Sequence, residues 1–164
     1  MHTVYLNEAL GLKQRKQTVK KLCECIKKSG IKFDSIAFTG MSGALIAPLV
    51  AYKLKKNLVM VRKPSDKNHS SMTVEAENVG KRYIIIDDLI FSGKTIINLV
   101  KTVKDNPQFY IMVPVAVFTY RRPEDDRIKD ELTRYKIERE TGHAMKYQNC
   151  NTDTVYFNLD GPTY

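Results

Sequence analysis

The chain predicts an α/β fold on a mainly parallel sheet, and three observations carry that expectation. Short apolar runs alternate with amphipathic stripes from Lys13 to Thr119, the pattern of strands joined by helical crossovers. The glycine-rich and acidic turns fall directly after apolar runs, at the strand ends where open sheets of this class hold ligands. The length, 164 residues, suits a single domain over residues 1–164, and a chain of this size buries ~70% of its unfolded surface.

Each element follows from its pattern. Val19, Leu22, Cys23 and Ile26 form a helical stripe within Lys13 to Ser29, and Lys13, Lys16, Lys20, Lys21, Lys27 and Lys28 flank it as a solvated face. Ser35 to Thr39 is a strand, and Gly40 to Leu54 passes into a helix. Pro48 lies inside that stretch, so the regular helix is expected to begin near it, with Gly40 to Ile46 looser. Leu58 to Val61 is a second strand and Arg62 to Gly80 a long loop. Tyr83 to Ile86 is a buried strand, and Ile96, Leu99, Val100 and Val103 give the stripe of a helix ending near Lys104. Tyr110 to Thr119 is rich in β-formers. Pro114 makes it an edge strand or marks its start, because proline donates no ladder hydrogen bond. Beyond Pro123, Ile128, Leu132 and Tyr135 hint at a short helix, and Thr154 to Leu159 at a strand.

Composition narrows the function classes. No apolar run reaches the ~20 residues that span a bilayer. Met1 to Leu12 lacks the charged-then-apolar pattern of a secretory signal, so a cytoplasmic location without membrane association is expected. Cys23, Cys25 and Cys150 are an odd number without a partnering Cys/His pair, which points to reduced thiols rather than zinc or disulfides. Lys plus Arg number 27 against 18 Asp plus Glu, a net charge of +9 that suits a polyanionic ligand. No helix-turn-helix or base-stacking signature is present, so nucleic acid is not the expected partner.

Three segments carry chemistry. The first runs from Tyr83 to Thr95: an apolar strand, the adjacent carboxylates Asp87 and Asp88, then Phe91-Ser92-Gly93-Lys94-Thr95 leading into a helix. A helix start offers unpaired N–H groups and a positive dipole end to a phosphate. Paired carboxylates accept hydrogen bonds from a vicinal diol or reach a metal held by it. A P-loop is excluded, since it needs a glycine where Asp88 stands. The second segment, Phe38-Thr39-Gly40-Met41-Ser42-Gly43, is a strand-to-helix turn whose glycines let backbone N–H groups approach a ligand. The third, Val61 to Ser71, opens a long cationic loop holding Arg62, Lys63, Lys67 and His69, of a length more typical of lids than of connectors.

Together these segments resemble the type I phosphoribosyltransferases. The resemblance implies a mainly parallel five-stranded sheet in the order 3-2-1-4-5, flanked by helices and covered by a small hood. It further implies that Asp87 and Asp88 hold the ribose hydroxyls of phosphoribosyl pyrophosphate and that Phe91, Ser92, Gly93, Lys94 and Thr95 wrap the 5′-phosphate. Thr39, Gly40, Met41 and Ser42 would form the pyrophosphate loop, which in the family often contains a non-proline cis peptide. The third segment is similar to the Val-Arg-Lys…Lys-x-His loop of orotate phosphoribosyltransferases, with one extra residue before Lys67 here. By that resemblance Arg62, Lys63, Lys67 and His69 meet the pyrophosphate when the loop closes.

The implied reaction transfers a phosphoribosyl group to a nucleobase with Mg2+ held mainly by substrate oxygens and, at most, by Asp87 and Asp88. Family members commonly form homodimers. The alternative is a non-catalytic sensor of phosphoribosyl pyrophosphate or a nucleotide on the same fold. Phe91 stands where the 6-oxopurine branch has an aspartate, whereas Lys94-Thr95 is similar to that branch, so the base is left open. Hood candidates are the N-terminal segment with Tyr5 and the 121–164 tail with Tyr147, Tyr156 and Phe157, whose rings suit stacking on a base.

Overall fold

The computed structural model describes residues 6–63, 72–152 and 154–158. In chain order the elements are α1 (Asn7–Leu10), α2 (Leu12–Lys28), β1 (Ser35–Thr39), α3 (Gly40–Leu54), β2 (Asn57–Val61) and β3 (Val74–Ala76). They continue with β4 (Arg82–Asp87), α4 (Lys94–Lys104), β5 (Val113–Thr119), a 3-10 turn (Arg127–Lys129), α5 (Glu131–Thr141), β6 (Lys146–Asn149) and β7 (Val155–Tyr156). The strands form one sheet in the order β3-β2-β1-β4-β5-β6-β7. The five central strands are parallel. The two edge strands, β3 and β7, pair antiparallel with β2 and β6.

The order 3-2-1-4-5 therefore holds for the first five strands, but the sheet has seven strands rather than five. Two additions were hidden in sequence. The three-residue β3 lies within the stretch expected as loop. Lys146-Tyr147-Gln148-Asn149 alternates too weakly to read as a strand, yet its last three residues are buried against β5 and β7.

Residues of β4 alternate between two cores, as a parallel central strand covered on both faces must. Ile84 and Ile86 join Ile36, Phe38, Leu22 and Ile46 beneath α2 and α3. Tyr83 and Ile85 join Leu99, Val103, Ile137 and Tyr147 beneath α4 and α5. Tyr147 is fully buried there, so it is core and not a base-stacking ring, while Phe157 is exposed.

The Pro48 expectation needs correction, and the Pro114 expectation holds in one of its two forms, since the proline is the second residue of β5 and marks its start. β5 is internal, not an edge: it lies between β4 and β6. Pro114 is tolerated because β6 pairs only from Ala116 onward and the β4 register slips between Tyr83 and Ile84, a bulge that leaves Pro114 no ladder bond to donate. The helix after β1 begins at Gly40 and runs through Pro48. The residue whose carbonyl Pro48 fails to serve, Ala44, is exposed, so water can satisfy it.

Candidate active site at the carboxyl edge of the sheet

Parallel strands bring their carboxyl ends to one edge, and β1 and β4 are hydrogen-bonded neighbours. The turns that follow them therefore face each other across a cavity of about 400 Å3. Thr39, Met41, Ser42, Lys63, Asp87, Asp88, Phe91, Ser92, Gly93 and Thr95 all line it. Lys94 and Arg62 line an adjoining hollow of about 270 Å3, together with Thr39, Lys63 and Thr95. Lys67 and His69 lie outside the described residues, as does Tyr5.

The β1 turn is tight. Gly40 sits at φ +66°, and a Cβ there would lie 3.0 Å from Cε and 3.1 Å from Nζ of Lys63, so the lysine crosses directly over the glycine. Ser42, in the first turn of α3, donates from Oγ to Oδ1 of Asp87 at 3.1 Å. The Tyr120 hydroxyl donates to the Ser42 carbonyl at 2.9 Å, holding that turn from β5's side. All peptide bonds among the described residues are trans, so the cis peptide expected of this loop is not found.

The β4 turn is longer and better anchored. The Asp88 carbonyl accepts from the Tyr120 and Arg121 N–H groups at 3.2 and 2.8 Å. The Ile90 carbonyl accepts from Arg127 N–H at 2.7 Å, and its N–H donates to Asp126 Oδ1 at 2.9 Å. Gly93 ends the turn at φ +76°, where a Cβ would stand 2.8 Å from Cγ1 of Ile137. The turn thus brings Ser92, Gly93 and Thr95 to the cavity wall where α4 begins, and a helix start leaves its first N–H groups without helical partners.

Between the turns stand the two carboxyls, both almost fully buried. Burial, and then the neighbouring Asp88 charge, push the Asp87 carboxyl up to about 7; the hydrogen bonds from Ser42 and the Asp88 N–H oppose the shift. Oδ2 of Asp88 has no hydrogen-bond donor among the described residues, and the Arg121 guanidinium is 3.9 Å away. Oδ2 is closed off from solvent, and a buried carboxyl oxygen without a hydrogen-bond donor is costly, so the carboxylate of Asp88, a residue of the cavity lining, stands to gain from a hydroxyl or a cation. Arg62, by contrast, is bound to Glu75 of β3, with Nε 2.8 Å from Oε1.

Tyr120, Arg121, Asp126 and Asn149 were not singled out in sequence. The strand-end rule would have found the first two, since they follow β5 as Asp88 follows β4. Asp126 and Asn149 carried no such signal.

No protein-family model matches the chain. It is 30% identical over 102 residues to an orotate phosphoribosyltransferase of Pyrobaculum aerophilum, covering 62% of this chain and 52% of that protein. Against an adenine phosphoribosyltransferase of Bifidobacterium longum it is 35% identical over 92 residues, covering 47% of this chain and 48% of that one. The chain thus spans about half the length of these relatives. The crystal structure of orotate phosphoribosyltransferase from Aeropyrum pernix superposes with a TM-score of 0.63 at 16% identity, over 90% of this chain and 77% of that one. The chain has the type I phosphoribosyltransferase fold, and its sequence likeness runs to the orotate and adenine branches of that family. No helix among the described residues is long and apolar enough to cross a membrane.

Proposed function

We propose that the chain is a phosphoribosyltransferase, moving the 5-phosphoribosyl group of phosphoribosyl pyrophosphate to a nucleobase in nucleotide metabolism. In that reaction the bond from C1′ to the pyrophosphate oxygen breaks, its electron pair leaves with pyrophosphate, and a base nitrogen gives up its proton as it bonds to C1′. The observation that carries the proposal is the buried acidic pair, with Asp88 Oδ2 lacking a hydrogen-bond donor among the described residues, sharing one cavity with the Gly93 turn and the start of α4. A sugar phosphate presents a diol and an anion, and the cavity offers acceptors and donors in matching places.

In this proposal Asp88 and Asp87 accept the ribose hydroxyls, and the N–H groups from Ser92 to Thr95 take the 5′-phosphate. Lys63, reaching across Gly40, meets the pyrophosphate beside Thr39 to Ser42, and its charge eases departure of that anion. Lys67 and His69 join it from the same loop. Arg62 would first have to exchange Glu75 for pyrophosphate.

The residues fit Mg2+ only as an ion carried by substrate. Among the described residues no group of three or more His, Cys, Asp or Glu could hold a metal, and the carboxylates that line the cavity are Asp87 and Asp88. Mg2+ tolerates such a site because it keeps water and phosphate oxygens as ligands, and it would supply charge neutralisation of the pyrophosphate. A homodimer in the cytoplasm is part of the same proposal.

The test is pyrophosphate release from phosphoribosyl pyrophosphate with Mg2+ and a panel of bases including orotate and adenine. Release with one base is expected and names the substrate. Tight donor binding without release on any base would make the protein a sensor, and absence of both would overturn the proposal.

A further inference from the structure

Asp87, Thr119 and Asn149 stand in register across the ends of β4, β5 and β6, one row along the edge that bears the cavity. Directly beyond that row lies Asp126, 1% exposed, which lines neither hollow of the site. Its Oδ2 accepts from Asn149 Nδ2 at 2.8 Å and from the Thr119 hydroxyl. Its Oδ1 accepts from the N–H groups of Ile90 at 2.9 Å and Ile128 at 3.1 Å. A carboxyl so deeply buried is costly unless its acceptor sites are filled, and here four donors fill them.

What those donors belong to matters more than their number. Ile90 is in the middle of the turn between the acidic pair and Gly93, and its carbonyl is held by Arg127, the residue next to Asp126. Asn149 also donates to the Arg121 carbonyl at 2.9 Å, and Arg121 brings its guanidinium beside Asp88. One buried carboxyl and one buried amide thus grip both flanks of the acidic pair from the far side of the sheet edge.

We infer that Asp126, with Asn149, is the positioning residue of this site. It fixes the turn from Asp88 to Gly93 so that the carboxyls and the phosphate-facing N–H groups keep their spacing before any ligand arrives. The inference rests on the diol-and-phosphate role proposed for that turn. Preorganisation of this kind matters because displacing a binding group by about 1 Å costs on the order of 100-fold.

The test compares Asp126→Ala and Asp126→Asn with Val103→Ala, a cavity at the far end of α4 that weakens the core without touching Ile90. Amide hydrogen exchange over residues 88–93 is followed in ligand-free protein, and phosphoribosyl pyrophosphate binding by calorimetry. In Asp126→Ala, exchange in this segment should rise and donor affinity fall by about tenfold or more. Asp126→Asn, whose amide oxygen still accepts from Ile90, should recover part of both. Val103→Ala should shift affinity by less than about twofold and leave the local exchange pattern as in wild type. Equal exchange gains in Asp126→Ala and Val103→Ala, or an Asp126→Ala segment as protected as wild type, would overturn the inference. If Asp126→Ala fails to fold, Asp126→Asn against Val103→Ala decides it in the same way. If wild-type protein binds no donor, the functional proposal falls while hydrogen exchange still decides whether Asp126 fixes the turn.

Discussion

The turns after β1 and β4 leave adjacent strands at the same edge, and each passes a left-handed glycine into a helix, yet they are built for opposite work. The β1 turn has no length: Thr39 ends the strand and α3 starts at Gly40. It can offer only N–H groups, the hydroxyls of Thr39 and Ser42 and the lysine that crosses it. The β4 turn spends Asp88 to Gly93 between strand and helix, and so has room for a carboxyl, a buried anchor at Ile90 and a phosphate-sized curve. The left-handed glycines differ in their neighbours as well. Gly40 abuts the flexible end of Lys63, whereas Gly93 abuts the branched body of Ile137 in the core. A short turn lends itself to holding a mobile, charged leaving group, and a long, anchored one to holding the part of the substrate that must not move.

The largest break in that contrast is removal of the acids. Asp87→Asn with Asp88→Asn should lower turnover by at least about 100-fold, because the sugar loses its orientation. Thermal stability should hold or rise, since two mutually repelling buried carboxyls are gone. Steady-state pyrophosphate release and a melting curve check both halves, and near-normal turnover would show that the ribose binds elsewhere.

The glycines come next. Either one changed to alanine takes a left-handed strain of about 1–2 kcal/mol. Gly93→Ala additionally drives a methyl into Ile137, for a further ~1–3 kcal/mol. Gly40→Ala should instead displace Lys63 and show mainly as weaker pyrophosphate binding. Urea unfolding and product-inhibition constants separate the two outcomes, and equal stability losses would contradict the difference in their surroundings.

These two turns were also the legible part of the sequence. Asp87 to Thr95 and Thr39 to Ser42 are contiguous, and each contacting group sits within a few residues of a strand end whose apolar run is plain. The groups that hold the turns in place are not contiguous. Tyr120, Arg121, Asp126 and Asn149 reach the site only because β5 and β6 lie beside β4, and that adjacency is a property of the sheet. β6 itself was hidden because Lys146, Gln148 and Asn149 are polar: Lys146 is exposed, and buried Asn149 is accommodated by its hydrogen bonds rather than by hydrophobicity. Pro48 misled for a related reason: the carbonyl that its missing N–H leaves unserved belongs to exposed Ala44, which local sequence does not reveal.

A smaller effect follows from the raised Asp87 carboxyl. Its unfolded form ionises in the ordinary carboxylate range, while the folded form keeps its proton until about pH 7. The unfolded state therefore holds fewer protons between those limits. The stability Asp87 contributes is complete below the ordinary range, falls as pH rises toward about 7 and is level above it. The half-buried Asp34 and Asp130 and the exposed Glu140 are shifted the other way by hydrogen bonds, so their contribution fades as pH falls. The difference between wild type and Asp87→Asn isolates the Asp87 share. Donor affinity should run opposite to stability, strengthening through about pH 7 as the carboxyl becomes a full acceptor. A pH-independent difference in melting temperature and affinity would mean that Asp87 is ionised throughout.

The smallest change tests whether the short turn needs an anchor at all. Tyr120 is buried, and its hydroxyl gives the Ser42 carbonyl a hydrogen bond that ties the β1 turn to the end of β5. Tyr120→Phe removes that hydroxyl and keeps the ring, so the core loses no packing. The expected cost is about 1 kcal/mol of stability, the net worth of one such hydrogen bond. Because Ser42 in turn donates to Asp87, a looser turn should also weaken donor binding by a few-fold, with turnover at saturation nearly unchanged. Anchoring at Ile90 should leave the β4 turn undisturbed in this variant. Hydrogen exchange over residues 40–44 should therefore rise while residues 88–93 stay as in wild type, and a joint rise would show that the two turns move as one unit.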